Sequence, residues 1–155
     1  MNNIDRIFSK DPKKFANSYL NYLQSILKKI DTKEIARFIE TLLNARKSKT
    51  TIFFIGNGGS AATASHFAND ISIGTNDYDE PFKALSLTDN VPILTAISND
   101  YGYEEVFIRQ LRILGLPGDV VVGISASGNS VNLLKAFEYA KNNGMKTVAI
   151  TAFDG

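Results

Sequence analysis

The 155-residue chain contains no cysteine, which excludes disulfides and thiolate metal sites and is compatible with a reducing compartment. It has almost no net charge: 17 Lys and Arg against 16 Asp and Glu leave +1. Without a strongly basic domain there is no basis for broad electrostatic capture of nucleic acid, so nucleic acid is not an expected partner. No apolar run approaches the roughly 20 residues of a membrane span, and residues 1–14 are polar and mixed in charge. Neither a membrane partner nor an export signal is therefore expected, and a cytoplasmic protein is the default. A Gly-Lys-Ser/Thr ending is also missing, which excludes a nucleotide P-loop. What remains is 44% hydrophobic, enough to bury one sizeable core in a single domain.

The most informative stretch is 51–70. Thr51 to Ile55 is β-branched, aromatic and uncharged, the pattern of a strand buried on both faces. Gly56, Gly58 and Gly59 then allow a tight turn and close approach of a ligand to the backbone, while Ser60 can cap a following helix. Main-chain N–H groups and the positive end of a helix dipole make such a turn an anion site. His66 and Asp70, at i and i+4, share one face of that helix, which joins acid/base or metal chemistry to the turn.

Two amphipathic helices precede this strand. Phe15, Tyr19, Leu20, Leu23, Ile26, Leu27 and Ile30 make one stripe, and Ile35, Phe38, Ile39, Leu42 and Leu43 the next, with Asp31 and Glu34 at capping-box spacing and Ile30 and Ile35 as a staple. The pair is expected to cover the sheet or to pack on a copy of itself, the second being favoured. Residues 1–49 thus read as a helical segment and 50–155 as an α/β domain, the two forming one structural unit.

Beyond Asp70 the pattern predicts a polar loop from Gly74 to Pro81, a strand over 82–87, a short helix over 91–97 broken by Ser98 to Gly102, and a helix over 104–114. A third strand follows at 119–125, a polar turn at 125–130, a helix over 131–142 burying Leu133, Leu134, Phe137 and Ala140, and a fourth strand over 147–151. The alternation argues for a parallel sheet flanked by helices, with ligands at the C-terminal strand ends, where both polar turns fall. The last strand and the turn at 151–155 have no covering helix after them, so either the natural chain is expected to continue past Gly155 or a partner covers the strand.

Gly56-x-Gly58-x-x-Ala61 matches the dinucleotide fingerprint in form, but the acidic residue required at the end of the second strand is missing: Asp77 and Asp79 come before that strand and Asp89 too late. No nucleotide cofactor is expected. The second turn carries Ser125, Ser127 and Ser130 around Gly128 at a helix start, a density of hydroxyls suited to phosphate oxygens; alone it would equally suit a loop making its own turns and cap.

Gly56-Asn-Gly-Gly-Ser60, His66-Phe-Ala68, Ser98-Asn-Asp-Tyr-Gly102 and Ile124-Ser-Ala-Ser-Gly-Asn-Ser130, in this order and spacing, resemble the sugar isomerase (SIS) domain family. Within it they are most similar to the phosphoheptose isomerases, which convert sedoheptulose 7-phosphate to a heptose 7-phosphate for surface polysaccharide such as lipopolysaccharide or capsule. The resemblance implies a flavodoxin-like parallel sheet, a homotetramer, active sites at subunit boundaries and a phosphorylated sugar as ligand. It also implies that Asn57, Gly58, Gly59 and Ser60 hold the sugar, that Asn99 and Asp100 form a second substrate loop, and that Ser125, Ala126, Ser127 and Ser130 hold the phosphate. His66 matches a zinc ligand of those members that bind zinc. Asp70 stands where the isomerases carry a Glu serving as catalytic base and zinc ligand.

Two departures matter. Asp70 is one methylene shorter than Glu, and a displacement of about 1 Å costs on the order of a hundredfold in rate. Ala126 replaces a hydroxyl residue and leaves only its main-chain N–H. The family's remaining catalytic Gln and His lie on a late helix outside this sequence, and His66 is the sole His; with Asp70 it falls short of the three or four ligands of a zinc site. The expected function is aldose–ketose isomerisation through an enediol, with Asp70 and His66 as its catalytic candidates. The alternative is a non-catalytic SIS module binding a sugar phosphate or a protein partner as a regulator or scaffold.

Overall fold

The computed structural model describes residues 3–152; the turn expected at 153–155 lies outside them. In order, the elements are α1 (Asn3–Ile7), α2 (Pro12–Leu27), α3 (Thr32–Lys47), β1 (Thr51–Gly56), α4 (Gly59–Ser72), β2 (Lys83–Ser86), α5 (Val91–Tyr101), a 3₁₀ turn (Tyr103–Glu105), α6 (Ile108–Leu114), β3 (Val120–Ser125), α7 (Val131–Asn142) and β4 (Lys146–Thr151).

All four strands are parallel, in the order β2-β1-β3-β4. The chain leaves β1 toward β2 on one side and returns to β3 on the other, so the direction of winding reverses between β1 and β3. In open α/β sheets such a reversal point, at the C-terminal ends of the two strands, is where ligands bind.

Strand alternation divides the core into two layers. Ile52 and Phe54 of β1 and Val120 and Val122 of β3 face Ala64 and Ala68 of α4 and Ala45 of α3. Phe53, Ile55 and Val121 face the opposite layer, with Val106, Phe107, Leu111, Leu133 and Ala136 from the turn region, α6 and α7. Phe53, Phe54, Ile52 and Ile55 are each at most 1% exposed, as a central parallel strand requires; burying each such side chain contributes about 1.5–3 kcal/mol. Phe67 of α4 stacks on Phe54 with ring centroids 5.5 Å apart. β4 is an edge, with Val148 half-buried and Thr147 and Ala149 exposed.

The two compact units divide within α3, between Arg37 and Phe38. In the first unit, Asp11 caps α2 by accepting from the N–H groups of Lys13 and Lys14 at 2.9 and 3.3 Å, with Pro12 in the first helical turn. No residue of α2 is buried. In the second unit, Phe38, Leu42 and Ala45 of α3 join the core beside β1.

Several local expectations are corrected. A short helix, α1, occupies part of the polar N-terminal stretch. The first stripe stops being helical at Leu27, so Ile30 lies in the following turn. Ser98 to Tyr101 do not break α5 but complete it; the break is at Gly102, φ +97. The helix expected over 104–114 is a 3₁₀ turn followed by α6, because Val106 and Phe107 turn inward together, at 0 and 1% exposure. In α7 the buried face is Asn132, Leu133, Ala136 and Ala140, whereas Leu134 is 49% exposed; the helix is rotated so that a polar residue enters the core.

Candidate functional site

The turn after β1 is set by two glycines. Gly58 adopts φ +55 and caps α4, a sparsely populated conformation that costs a side-chain-bearing residue about 1–3 kcal/mol. Gly56 is needed for space: a Cβ there would lie 2.6 Å from the Ser60 carbonyl oxygen. Ser60 does not cap the helix, contrary to expectation. The chain reverses at Gly58, so α4 begins at Gly59, and Ser60 lies inside the first turn with its N–H donating to the Asn57 carbonyl at 3.0 Å.

Asn57 is held from two directions. Its Nδ2 donates to Asn132 Oδ1 at 2.9 Å, Asn132 Nδ2 donates back to Asn57 Oδ1 at 2.8 Å, and the Tyr103 hydroxyl donates to the same oxygen at 2.9 Å. Asn132 is 3% exposed, so its amide is a polar group that must be paired. The turn after β1, the segment after α5 and the first turn of α7 are thereby joined. Lys135 of α7 reinforces the junction by donating to Glu105 at 2.9 Å. That hydrogen bond, aided by the nearby charges of Lys135, Arg109 and Arg112 and opposed by burial, holds the Glu105 carboxyl below its ordinary range.

The second turn follows β3. Ser125 is buried and its Oγ accepts from the Gly128 N–H at 3.1 Å, with Ser130 Oγ 3.4 Å away. Ser127 and Ala126 are exposed, and the Ser127 carbonyl accepts from the Asn129 side chain at 2.8 Å. Ser130 stands at the start of α7 without capping it through its side chain. Hydroxyls and N–H groups thus gather in front of the positive end of a helix of 12 residues, chemistry suited to an anion.

His66 and Asp70 occupy one exposed face of α4, with Nε2 and Oδ2 3.2 Å apart and side chains 76 and 57% exposed. Asn99 donates to Asp100 at 2.8 Å in the last turn of α5. Among the described residues these four side chains bond only to near neighbours in sequence, and no group of three or more His, Cys, Asp or Glu could hold a metal ion. The two donors of α4 do not by themselves make the three- or four-ligand set that zinc takes.

Sequence reasoning missed Asn132 and Tyr103. It also missed a hydroxyl cluster beside α4, where Thr88 Oγ1 lies 2.6 Å from Ser86 Oγ and 3.0 Å from Ser65 Oγ, and Ser65 bonds to Asp89. Asn132 had one local signal: a polar residue at the helical position preceding Ala136 and Ala140 on the buried face.

A parallel sheet of this winding, with a glycine turn and a serine turn at the ends of its two central strands, is an α/β architecture that places two polar turns where such sheets bind ligands. The chain belongs to the SIS domain family, whose model matches residues 15–152. It is similar to a phosphoheptose isomerase of Helicobacter pylori strain HPAG1, at 50% identity over 117 residues, 76% of this chain and 59% of that relative's length. A probable phosphoheptose isomerase of Thermoplasma volcanium is 42% identical over 139 residues, 90% of this chain and 71% of the relative. The solved phosphoheptose isomerase of Neisseria gonorrhoeae superposes with a TM-score of 0.82 at 38% identity, covering 92% of this chain and 76% of that one. The chain thus spans about three fifths of the length of the H. pylori relatives of strains HPAG1 and Shi470. No helix among the described residues is long and apolar enough to cross a membrane.

Proposed function

We propose that the chain binds a phosphorylated sugar between the turns that follow β1 and β3, and that the whole protein isomerises sedoheptulose 7-phosphate to a heptose 7-phosphate. The observation that carries this reading is the coupling of the two turns at the sheet's reversal point: Asn57 of the first is hydrogen-bonded to Asn132, two residues beyond Ser130 of the second. Ser125, Ser127, Ser130 and the N-terminal end of α7 receive the phosphate. Asn57 to Ser60, with Asn99 and Asp100, receive the hydroxylated chain.

The chemistry is transfer of a proton between adjacent carbons. A base removes the proton from the carbon next to the carbonyl, the C–H electrons form the enediol double bond, and an acid protonates the carbonyl oxygen; the steps reverse at the neighbouring carbon. Asp70 is the base of this reading and His66, 3.2 Å from it, its acid/base partner. A zinc ion would draw two donors from this chain and the rest from elsewhere, so no step is assigned to it. The reading includes a cytoplasmic enzyme of surface-polysaccharide synthesis, assembled as a homotetramer. The assembly is supported by apolar side chains left exposed on α2 and α3, among them Leu20 and Ile39.

Incubation of the protein with sedoheptulose 7-phosphate in deuterated water tests the reaction. Deuterium is expected at the carbon next to the carbonyl, together with heptose 7-phosphate. Binding with neither exchange nor turnover would leave the second reading, a non-catalytic SIS module. That reading is favoured by Asp70, where the family resemblance implies a longer Glu, lying on a largely exposed helix face.

A further inference from the structure

We propose that Asn132 and Tyr103 are positioning residues that fix the Asn57 side chain as a single hydrogen-bond donor toward the ligand. The inference rests on the sugar-phosphate reading and specifies how one of its contacts is made.

An Asn amide offers two N–H donors and one oxygen with two lone pairs. Asn57 Oδ1 accepts from Asn132 Nδ2 and from the Tyr103 hydroxyl, which occupies both lone pairs; one Nδ2 hydrogen goes to Asn132 Oδ1. One N–H remains. The ligand group that meets Asn57 must therefore accept, as a sugar carbonyl or hydroxyl oxygen does.

The holder is itself held. Asn132 Oδ1 also accepts from the Leu133 N–H at 3.1 Å, so neither amide of the pair can rotate without stranding a buried polar group. Tyr103 contributes only its hydroxyl to Asn57, and its segment is fixed to α7 through Glu105 and Lys135. The side chains of the serine turn share none of these bonds, so Tyr103 and Asn57 can be changed without removing a hydroxyl that faces the phosphate.

A double-mutant cycle read by calorimetry tests the proposal, with sedoheptulose 7-phosphate and inorganic phosphate titrated in parallel. Asn132→Ala is expected to weaken sugar-phosphate binding about tenfold and Tyr103→Phe about fivefold, the scale of one or two net hydrogen bonds. Inorganic phosphate should bind Tyr103→Phe and Asn57→Ala as it binds the unmodified protein. In an Asn57→Ala background neither further change should have any effect, because both residues act through Asn57.

Equal losses in the presence and absence of Asn57 would overturn the proposal, as would a matching loss for inorganic phosphate in Tyr103→Phe. Tyr103→Phe, at a residue 54% exposed, provides the same comparison if Asn132→Ala does not fold. If the unmodified protein binds no sugar phosphate, the functional reading itself fails and this proposal with it. If it binds sugar phosphate and the variants match it, only the positioning role fails.

Discussion

Gly56 shows how much a single missing Cβ determines at this site. The position belongs to β1, yet the space beside its Cα is filled by the Ser60 carbonyl, carbon and Cβ at 2.6, 2.7 and 3.0 Å. These are mostly backbone atoms of the next element, so they cannot rotate out of the way. Gly56→Ala is therefore expected to push the start of α4 off the strand and to cost about 1–3 kcal/mol, the range for overpacked sites. A urea melt monitored by circular dichroism measures it; a midpoint equal to that of the unmodified protein would show that the turn yields.

At the scale of elements, the site depends on how the 3₁₀ turn is fastened to α7. Glu105 receives Lys135 at 2.9 Å and lies 3.5 Å from Arg109. Its pKa in the folded chain is lowered below the ordinary 4.5, chiefly by the Lys135 hydrogen bond. The unfolded chain therefore holds this proton more tightly than the folded one does. The pair's contribution is complete above the ordinary value, fades as pH falls through the lower folded value, and is absent below it. Glu105→Gln is expected to lower stability at neutral pH and to make little difference in strong acid. Denaturation of both proteins across that window checks the sign, and a constant difference at every pH would refute it. Because the same turn carries Tyr103, loosening it would also release one of the two groups that hold Asn57.

At the scale of the whole molecule, α2 and α3 each leave a row of apolar side chains exposed. Leu20 and Leu27 are 61 and 57% exposed, and Ile39 and Leu43 both 50%, on helices whose periodicity is that of a packed face. Self-association through these helices follows from the assembly proposed above. Sedimentation is expected to find an oligomer, and Leu20→Glu with Leu27→Glu to shift it toward smaller species while leaving the fold intact by circular dichroism. A monomer in the unmodified protein would refute the assembly.

The sequence by itself determined the α/β class, the parallel sheet and the position of both polar turns. Each is written in short-range pattern: the uncharged run Ile52 to Ile55, the 3.6-residue stripes, and glycines where the chain must reverse. The end of α5 at Gly102, the division of 104–114 and the rotation of α7 were not legible, because residues 98–101 are compatible with either helix or turn until Val106, Phe107 and Asn132 find their places in the core. Only the tertiary structure decided the strand order β2-β1-β3-β4 and the partners of Asn57. Tyr103 and Asn132 lie 46 and 75 residues away from it, and a hydrogen bond across such a separation leaves no periodicity in the chain. It exists because β1 and β3 pair side by side in parallel, which sets the turns at their C-terminal ends next to each other.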